Sequence, residues 1–320
     1  MNARRATAAD VEALVGFPGV PGVVGLPREQ VRGDFEAGRM RPEWSWVLEQ
    51  EGRLVGRALW WGRGDVVPSV LDALDVLPEV DDPRSAAVEL LRGGHADFAT
   101  SGERLLLPHT VRLPGGWRDD PQSVRAVAWR CAAMSDLGVT GSLERLQYAW
   151  TPANGVPASS ARVMLRPGSD DEFVQLFVQA ARGSLDAETQ QALESMDELS
   201  QARDDVEFYR GCPGEREWWQ VATDRDGVPV GFIVPSATPY HRNVGYLGVL
   251  PDHRGKGLVD DLLSEITRIH AAAGADMITA TTDMANLPMA AALERAGYPV
   301  TEIRLVLEAP RPSARDIADG

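Results

Sequence analysis

Only two cysteines, Cys131 and Cys212, occur in 320 residues. No zinc-like spacing surrounds either, so the chain is expected to have no disulfide framework and no resident metal. A reducing cytoplasm suits such a chain. Positive charge is also short: 32 Lys and Arg stand against 47 Asp and Glu, a net charge of -15. That balance excludes nucleic acid and anionic membrane as expected partners and favours cationic ones, although solubility alone would also account for it. No apolar run approaches a membrane span, and Asp10 and Glu12 interrupt the N-terminal stretch that a signal peptide would need.

What is present is enough apolar residue, 44%, for ordinary cores in a chain longer than one core usually serves, so two domains of about 150 residues are expected. Residues 150–160 (WTPANGVPASS) read as the linker between residues 1–149 and 161–308, and residues 309–320 as a flexible tail. The halves echo one another. Each opens with a short basic strand and an acid-started helix (ARRAT then AADVEALV; ARVMLRP then SDDEFVQLFVQAA). Next, Gly52 and Gly56 in EQEGRLVGRALWW match Gly227 and Gly231 in TDRDGVPVGFIVP. Val76-Leu77-Pro78 then matches Val249-Leu250-Pro251, and Gly138 matches Gly297. Four matches in one order read as duplicated α/β (α+β) units, each running strand, helices, three strands, helix, strand, helix, strand in a mixed sheet. Seven tryptophans fall in the first half (Trp44, Trp46, Trp60, Trp61, Trp117, Trp129 and Trp150), where they serve packing or an aromatic substrate wall.

The stretch VLPDHRGKGLVDDLL (Val249–Leu263) places Arg254-Gly255-Lys256-Gly257 between an apolar strand and an amphipathic helix striped by Leu258, Leu262, Ile266 and Ile269. The first amides of a helix have no internal partner, and glycines let phosphate oxygens approach them. Arg254 or Lys256 adds positive potential. The equivalent VLPEVDDPRSAAVELL (Val76–Leu91) carries Asp81, Asp82 and Pro83 instead. Each close carboxylate–phosphate pair would cost about 1 kcal/mol in water and about 4 at an intermediate dielectric, and Pro83 removes an amide donor.

VLPDHRGKGL resembles the acyl-CoA pyrophosphate motif of the GNAT superfamily of N-acyltransferases, R/Q-x-x-G-x-G/A preceded by V-x-P. TTDMANLPMAAALERAGY resembles that superfamily's next segment through Asn286, Gly297 and Tyr298. The resemblance covers residues 161–308 and reaches the first half only through the repeat. It implies two tandem GNAT-like mixed-sheet domains, the first a degenerate copy, with the fourth and fifth strands splayed in the C-terminal copy. Acetyl-CoA would then be the acyl-donor cosubstrate, its pantetheine paired with Leu247, Gly248 and Val249. Its pyrophosphate would lie on the amides of Arg254, Gly255, Lys256, Gly257, Leu258, Val259 and Asp260, and Asn286 and Met289 would line its arm. Val259 departs from the motif's last Gly/Ala, and Leu293 stands where many members carry an acid-donating Tyr.

The implied activity is N-acetyl transfer to a small-molecule amine by direct attack in a ternary complex. The alternative is a non-catalytic acyl-CoA-binding sensor or partner-binding protein. Catalytic candidates are the Val249 backbone N–H for the oxyanion, and Tyr246, His241, Asp283 and Glu217 for proton transfer. His241 also reads as a solvated loop histidine, Asp283 as a turn or N-cap residue, Glu217 as a strand-entry charge, and Tyr246 either reaches the cleft or packs beside it. Residues 184–210, rich in Asp and Glu, lie where the superfamily covers its acceptor. They would draw a cationic amine inward or serve as ordinary surface helices.

Overall fold

A computed structural model describes residues 1–64, 67–98 and 106–309; all but the first residue of the expected tail lies outside them. The chain divides into two compact units, one of Met1–Arg145 with the last strand from Glu302, the other of Leu146–Thr301. The element order is the expected one, run through twice. First come β1 (Asn2–Arg5), α1 (Val11–Val15), α2 (Arg28–Glu36), β2 (Ser45–Gln50), β3 (Arg53–Trp61) and β4 (Val70–Val76). They are followed by α3 (Pro83–Phe98), β5 (His109–Leu113), α4 (Pro121–Ser135) and β6 (Gly141–Trp150). The second pass is β7 (Met164–Arg166), α5 (Asp170–Ala181), α6 (Ala187–Leu193), α7 (Glu198–Gly211), β8 (Gln220–Thr223), β9 (Pro229–Ala237) and β10 (Arg242–Val249). It ends with α8 (Leu258–Ala272), β11 (Ile278–Asp283), α9 (Leu287–Arg295) and β12 (Val300–Glu308).

In the first unit the strand order is β1-β2-β3-β4-β5-β12, and in the second β6-β11-β10-β9-β8-β7. The last strand of each sequence repeat therefore lies with strands of the other repeat. β12 pairs antiparallel with β5 from Ile303↔Leu113 to Leu307↔His109, and Gln147 of β6 accepts from the Thr281 hydroxyl of β11 at 2.6 Å. Trp44, Trp60, Trp117 and Trp150 are buried, as packing requires.

Parallel strands open in both units. β4 and β5 meet only at Leu71↔His109. β10 and β11 meet at Arg242↔Ile278 and Asn243↔Thr279 and then part. The second opening starts at a bulge between Asn243 and Tyr246 of β10. Asn243 holds it from both sides: its Oδ1 accepts from Gly245 N at 2.7 Å, and its Nδ2 donates to Thr279 Oγ1 at 2.9 Å. His270 of α8, fully buried, places Nε2 2.9 Å from the Asn243 carbonyl. Gly245 sits at φ +69°, where a Cβ would lie 2.0 Å from the Val234 carbonyl oxygen.

Two expectations follow. Gly245→Ala should destabilise the second unit by about 3 kcal/mol or more, because left-handed backbone and a backbone clash coincide; a denaturant midpoint equal to wild type would show that the bulge relaxes freely. Burial pushes the His270 imidazole down to about 4. Between pH 6.5 and 4 the unfolded chain binds this proton and the folded chain does not, so stability should fall as pH drops through that window, by about 3 kcal/mol in total. Denaturant unfolding should show this pH slope in wild type and a flatter one in His270→Gln.

Candidate functional site

The opening in the second unit presents backbone. Leu250 N donates to Val230 O at 3.0 Å, and antiparallel alternation then directs the N–H and C=O of Gly248 and Tyr246 toward β9 and those of Leu247 and Val249 away from it. Leu247 and Val249 thus face the gap, with the Val249 N–H beside it. Gly248 serves packing, since a Cβ there would lie 2.6 Å from the Phe232 ring.

Gly255 and Gly257 both sit at φ +72° in the turn after β10. The amides of Gly255, Lys256, Gly257, Leu258 and Val259 donate to no acceptor among the described residues. Those of Arg254 and Asp260 are used, by Pro251 O at 3.2 Å and Gly257 O at 3.2 Å. The Arg254 side chain is also engaged: Nε donates to Val249 O at 3.1 Å, Nη1 to Arg182 O and Nη2 to Ala180 O. It caps the C-terminus of α5, where unpaired carbonyls favour a cation. Lys256 Nζ donates to Asp252 O at 3.0 Å. The turn's free donors for an anion are therefore its five amides, with the helix dipole and the charges of Arg254 and Lys256 adding positive potential.

The Asn286 side chain accepts from Met289 N at 3.3 Å, capping α9; Met289 packs against the core of α8, β10 and β11. Leu293 and Tyr298 are fully buried in that core, and the Tyr298 hydroxyl is 2.7 Å from Thr267 Oγ1. Neither side chain reaches the gap.

The proton-transfer candidates separate. His241 lies exposed in the turn before β10, six strand residues or about 20 Å from Leu247. Glu217 is exposed and precedes β8. Asp283 is 3% exposed and accepts from Ala187 N at 2.7 Å, which ties the start of α6 to the end of β11. Tyr246 packs with Phe177, Tyr209 and Phe232, and burial pushes its hydroxyl well above the ordinary range.

Among the acids of residues 184–210, those on α7 and its cap are not equivalent. Asp197 caps α7 through Leu199 N and Ser200 N, Glu198 pairs with Arg182 at 3.2 Å, and Asp204 and Glu207 are exposed. Asp205 alone turns inward. It accepts from Gln201 Nε2 at 3.0 Å, and one helical turn on, Tyr209 places its hydroxyl 3.5 Å from the Gly245 carbonyl at the bulge. Burial pushes the Asp205 carboxyl up to about 6, helped by the charges of Asp186, Asp204 and Glu188. Sequence reading had grouped Asp205 with its solvated neighbours. The available signal was the four-residue spacing of Gln201, Asp205 and Tyr209, which sets them on one face.

In the first unit the corresponding opening is filled. Arg130 of α4, 1% exposed, donates through Nε and Nη2 to Leu74 O at 3.1 and 2.8 Å. Arg112 donates to Asp72 O at 2.9 Å, and Val24 N pairs with Arg112 O at 2.9 Å. Asp82 accepts from Ser85 N at 3.1 Å, so the start of α3 already holds a carboxylate of its own chain. Asp75, bonded to Arg57 at 2.8 Å, lies 3.7 Å from Arg130 and balances its buried charge.

Residues 186–298 match the family model described as Acetyltransferase (GNAT) family. Curated proteins yield no match. Among solved structures, a GCN5-related N-acetyltransferase from Sphaerobacter thermophilus is 19% identical over 98% of this chain and 96% of its own, with a TM-score of 0.61. A glucosamine N-acetyltransferase region of a fungal multi-domain β-N-acetylglucosaminidase is 14% identical over 95% of this chain and 38% of that one, with a TM-score of 0.53. At these identities the likeness is one of fold. Motif, strand opening and family match converge on the same segment: residues 186–298 carry a GNAT-family acetyltransferase domain, and the chain shares its fold with a GCN5-related N-acetyltransferase.

Proposed function

We propose that the chain is an N-acetyltransferase that moves acetyl from acetyl-CoA to a small-molecule, cationic amine, with binding and chemistry confined to the second unit. The observation that carries the reading is the conjunction of a strand edge left without a strand partner at Leu247 and at the Val249 N–H with five free amides at the following turn. The edge suits an extended amide-bearing arm, the amides suit a pyrophosphate, and both lie on one continuous segment. Val259 donates its N–H as a glycine would, so the departure from the motif costs no donor. In the first unit guanidinium groups take the equivalent edge, and Asp82 takes the helix start.

A lysine-like amine must lose a proton before it attacks, a cost of about 4 to 5 kcal/mol at pH 7. In this reading Asp205 accepts that proton, and the nearby acidic side chains of Asp186 and Glu188 favour a cationic acceptor beside it. The amine nitrogen then bonds to the acyl carbon with the Val249 N–H facing the carbonyl oxygen, the nitrogen loses its surplus proton to solvent, and the carbon–sulfur bond breaks to give the amide. Leu293 offers no proton, so sulfur departs as thiolate, tolerable for a thiol of pKa about 8.5.

Calorimetry should find one acetyl-CoA per chain. Gly257→Asp should abolish binding, and Gly257→Asn, similar in shape but uncharged, should weaken it less. Asp82→Ala should leave it unchanged; two sites of similar affinity would remove the assignment to the second unit.

Turnover over a panel of amines should favour cationic acceptors. Its kcat/KM should fall as pH drops below about 6, because protonated Asp205 accepts nothing. Asp205→Asn should lower turnover by about 10² to 10⁴, while Asp204→Asn should change it little. Binding of acetyl-CoA with no turnover of any amine would point to a sensor instead.

A further inference from the structure

The segment joining the two repeats is strapped to the turn rather than passing by it. Ser159 Oγ and Ser160 N donate to Glu265 at 3.0 and 2.9 Å, and Ser160 Oγ donates to Asp261 at 2.7 Å. Arg268 Nη1 donates to Pro157 O at 3.3 Å. At the end of this strap Arg162 donates from Nη1 to Lys256 O at 2.8 Å and from Nη2 to Gly257 O at 2.9 Å, and it forms an ion pair with Asp261. Arg162 itself lies outside the acyl-CoA motif and reaches two of the motif's carbonyls.

A trans peptide points its carbonyl and its N–H in opposite directions across a rigid plane. Fixing the Lys256 carbonyl therefore aims the Gly257 N–H the other way, and fixing the Gly257 carbonyl does the same for the Leu258 N–H. Both are among the amides without a protein acceptor. A glycine-flanked turn left to itself would sample many orientations of these planes. The guanidinium, a rigid fork, spans two successive carbonyls and holds them together.

The first turn of α8 also carries two carboxylates, Asp260 and Asp261, which would compete with an anion for the same amides. Arg295 pairs with Asp260 at 2.7 Å, and Arg162 pairs with Asp261. Each acid in the first turn of α8 is thus paired with an arginine from outside it.

We propose that Arg162 is a positioning residue for anion binding: from the carbonyl side it orders the Gly257 and Leu258 amides for a pyrophosphate and neutralises Asp261. The role rests on the turn being the acyl-CoA pyrophosphate seat, but not on any acceptor or on catalysis.

Calorimetry with CoA and with pantetheine, which lacks the pyrophosphate, tests it on the full chain. Arg162→Ala should weaken CoA by about tenfold to a hundredfold and leave pantetheine unchanged. Arg162→Lys should restore part of the loss, since a point charge neutralises Asp261 but does not fork across two carbonyls. Ser159→Ala, which removes a strap bond to Glu265 and touches neither Arg162 nor Asp261, should bind CoA as wild type does. Unchanged CoA binding in Arg162→Ala, or equal losses for CoA and pantetheine in a folded variant, would overturn the proposal. A wild-type chain that binds neither CoA nor pyrophosphate would overturn this proposal and the acyl-CoA reading together. A chain that binds CoA with this Arg162 dependence but acetylates nothing would leave the clamp standing and remove only the catalytic reading.

Discussion

A parallel pair of strands that stops pairing leaves a row of backbone donors and acceptors that still need partners. In the second unit β10 and β11 separate after Asn243, so Leu247 and the Val249 N–H face the gap without a strand partner, while Arg254 takes the Val249 carbonyl. Much of the surrounding structure serves that one break. The bulge at Gly245 starts it, Asn243 and His270 hold it, Asp283 ties α6 beside one strand, and Tyr209 ties α7 beside the other.

The first unit meets the same constraint differently. Arg130 and Arg112 satisfy the carbonyls of Leu74 and Asp72 from within the chain. In the register set by Gly138 and Gly297, Arg130 stands where the second copy has Met289. In that register, a flexible thioether leaves room in one copy where a long, five-donor cation consumes it in the other. An exchange of one side chain on a helix can thus convert an open strand edge into a finished core, with Asp75 and Arg57 supplying the balance that burial of charge demands.

Much of this was legible in sequence because it resides in local pattern. The duplicated order of elements and the glycine turn rest on residues whose roles follow from their own backbone: Gly255 and Gly257 take positive φ, and Val-Leu-Pro ends a strand in both copies; the opened strand was expected only through the family resemblance. What escaped depends on partners distant in sequence. Arg254 looked like a phosphate ligand, yet its guanidinium is consumed by carbonyls of Ala180, Arg182 and Gly183. Asp283 sits beside the gap but is committed to Ala187. Asp205 was hidden among solvated acids, because its burial comes from Tyr209 and Tyr246 packing around it and not from its neighbours in the chain. The grouping of β12 with β5 had no local signature, since a strand's pattern says which face is buried and not which strand lies beside it.

Lys256 is the only lysine in the chain; the other 31 of its 32 Lys and Arg residues are arginines. A guanidinium keeps its charge and stays a poor nucleophile, whereas an ammonium that loses its proton becomes an amine able to open a thioester. The chain therefore offers a single side-chain amine to activated acyl groups, and that amine is held against the Asp252 carbonyl beside the turn, away from the strand edge at Leu247. A protein of this composition can be bathed in reactive thioesters with one internal site for stray acylation, and any amine-directed label placed on that site reports on the turn alone.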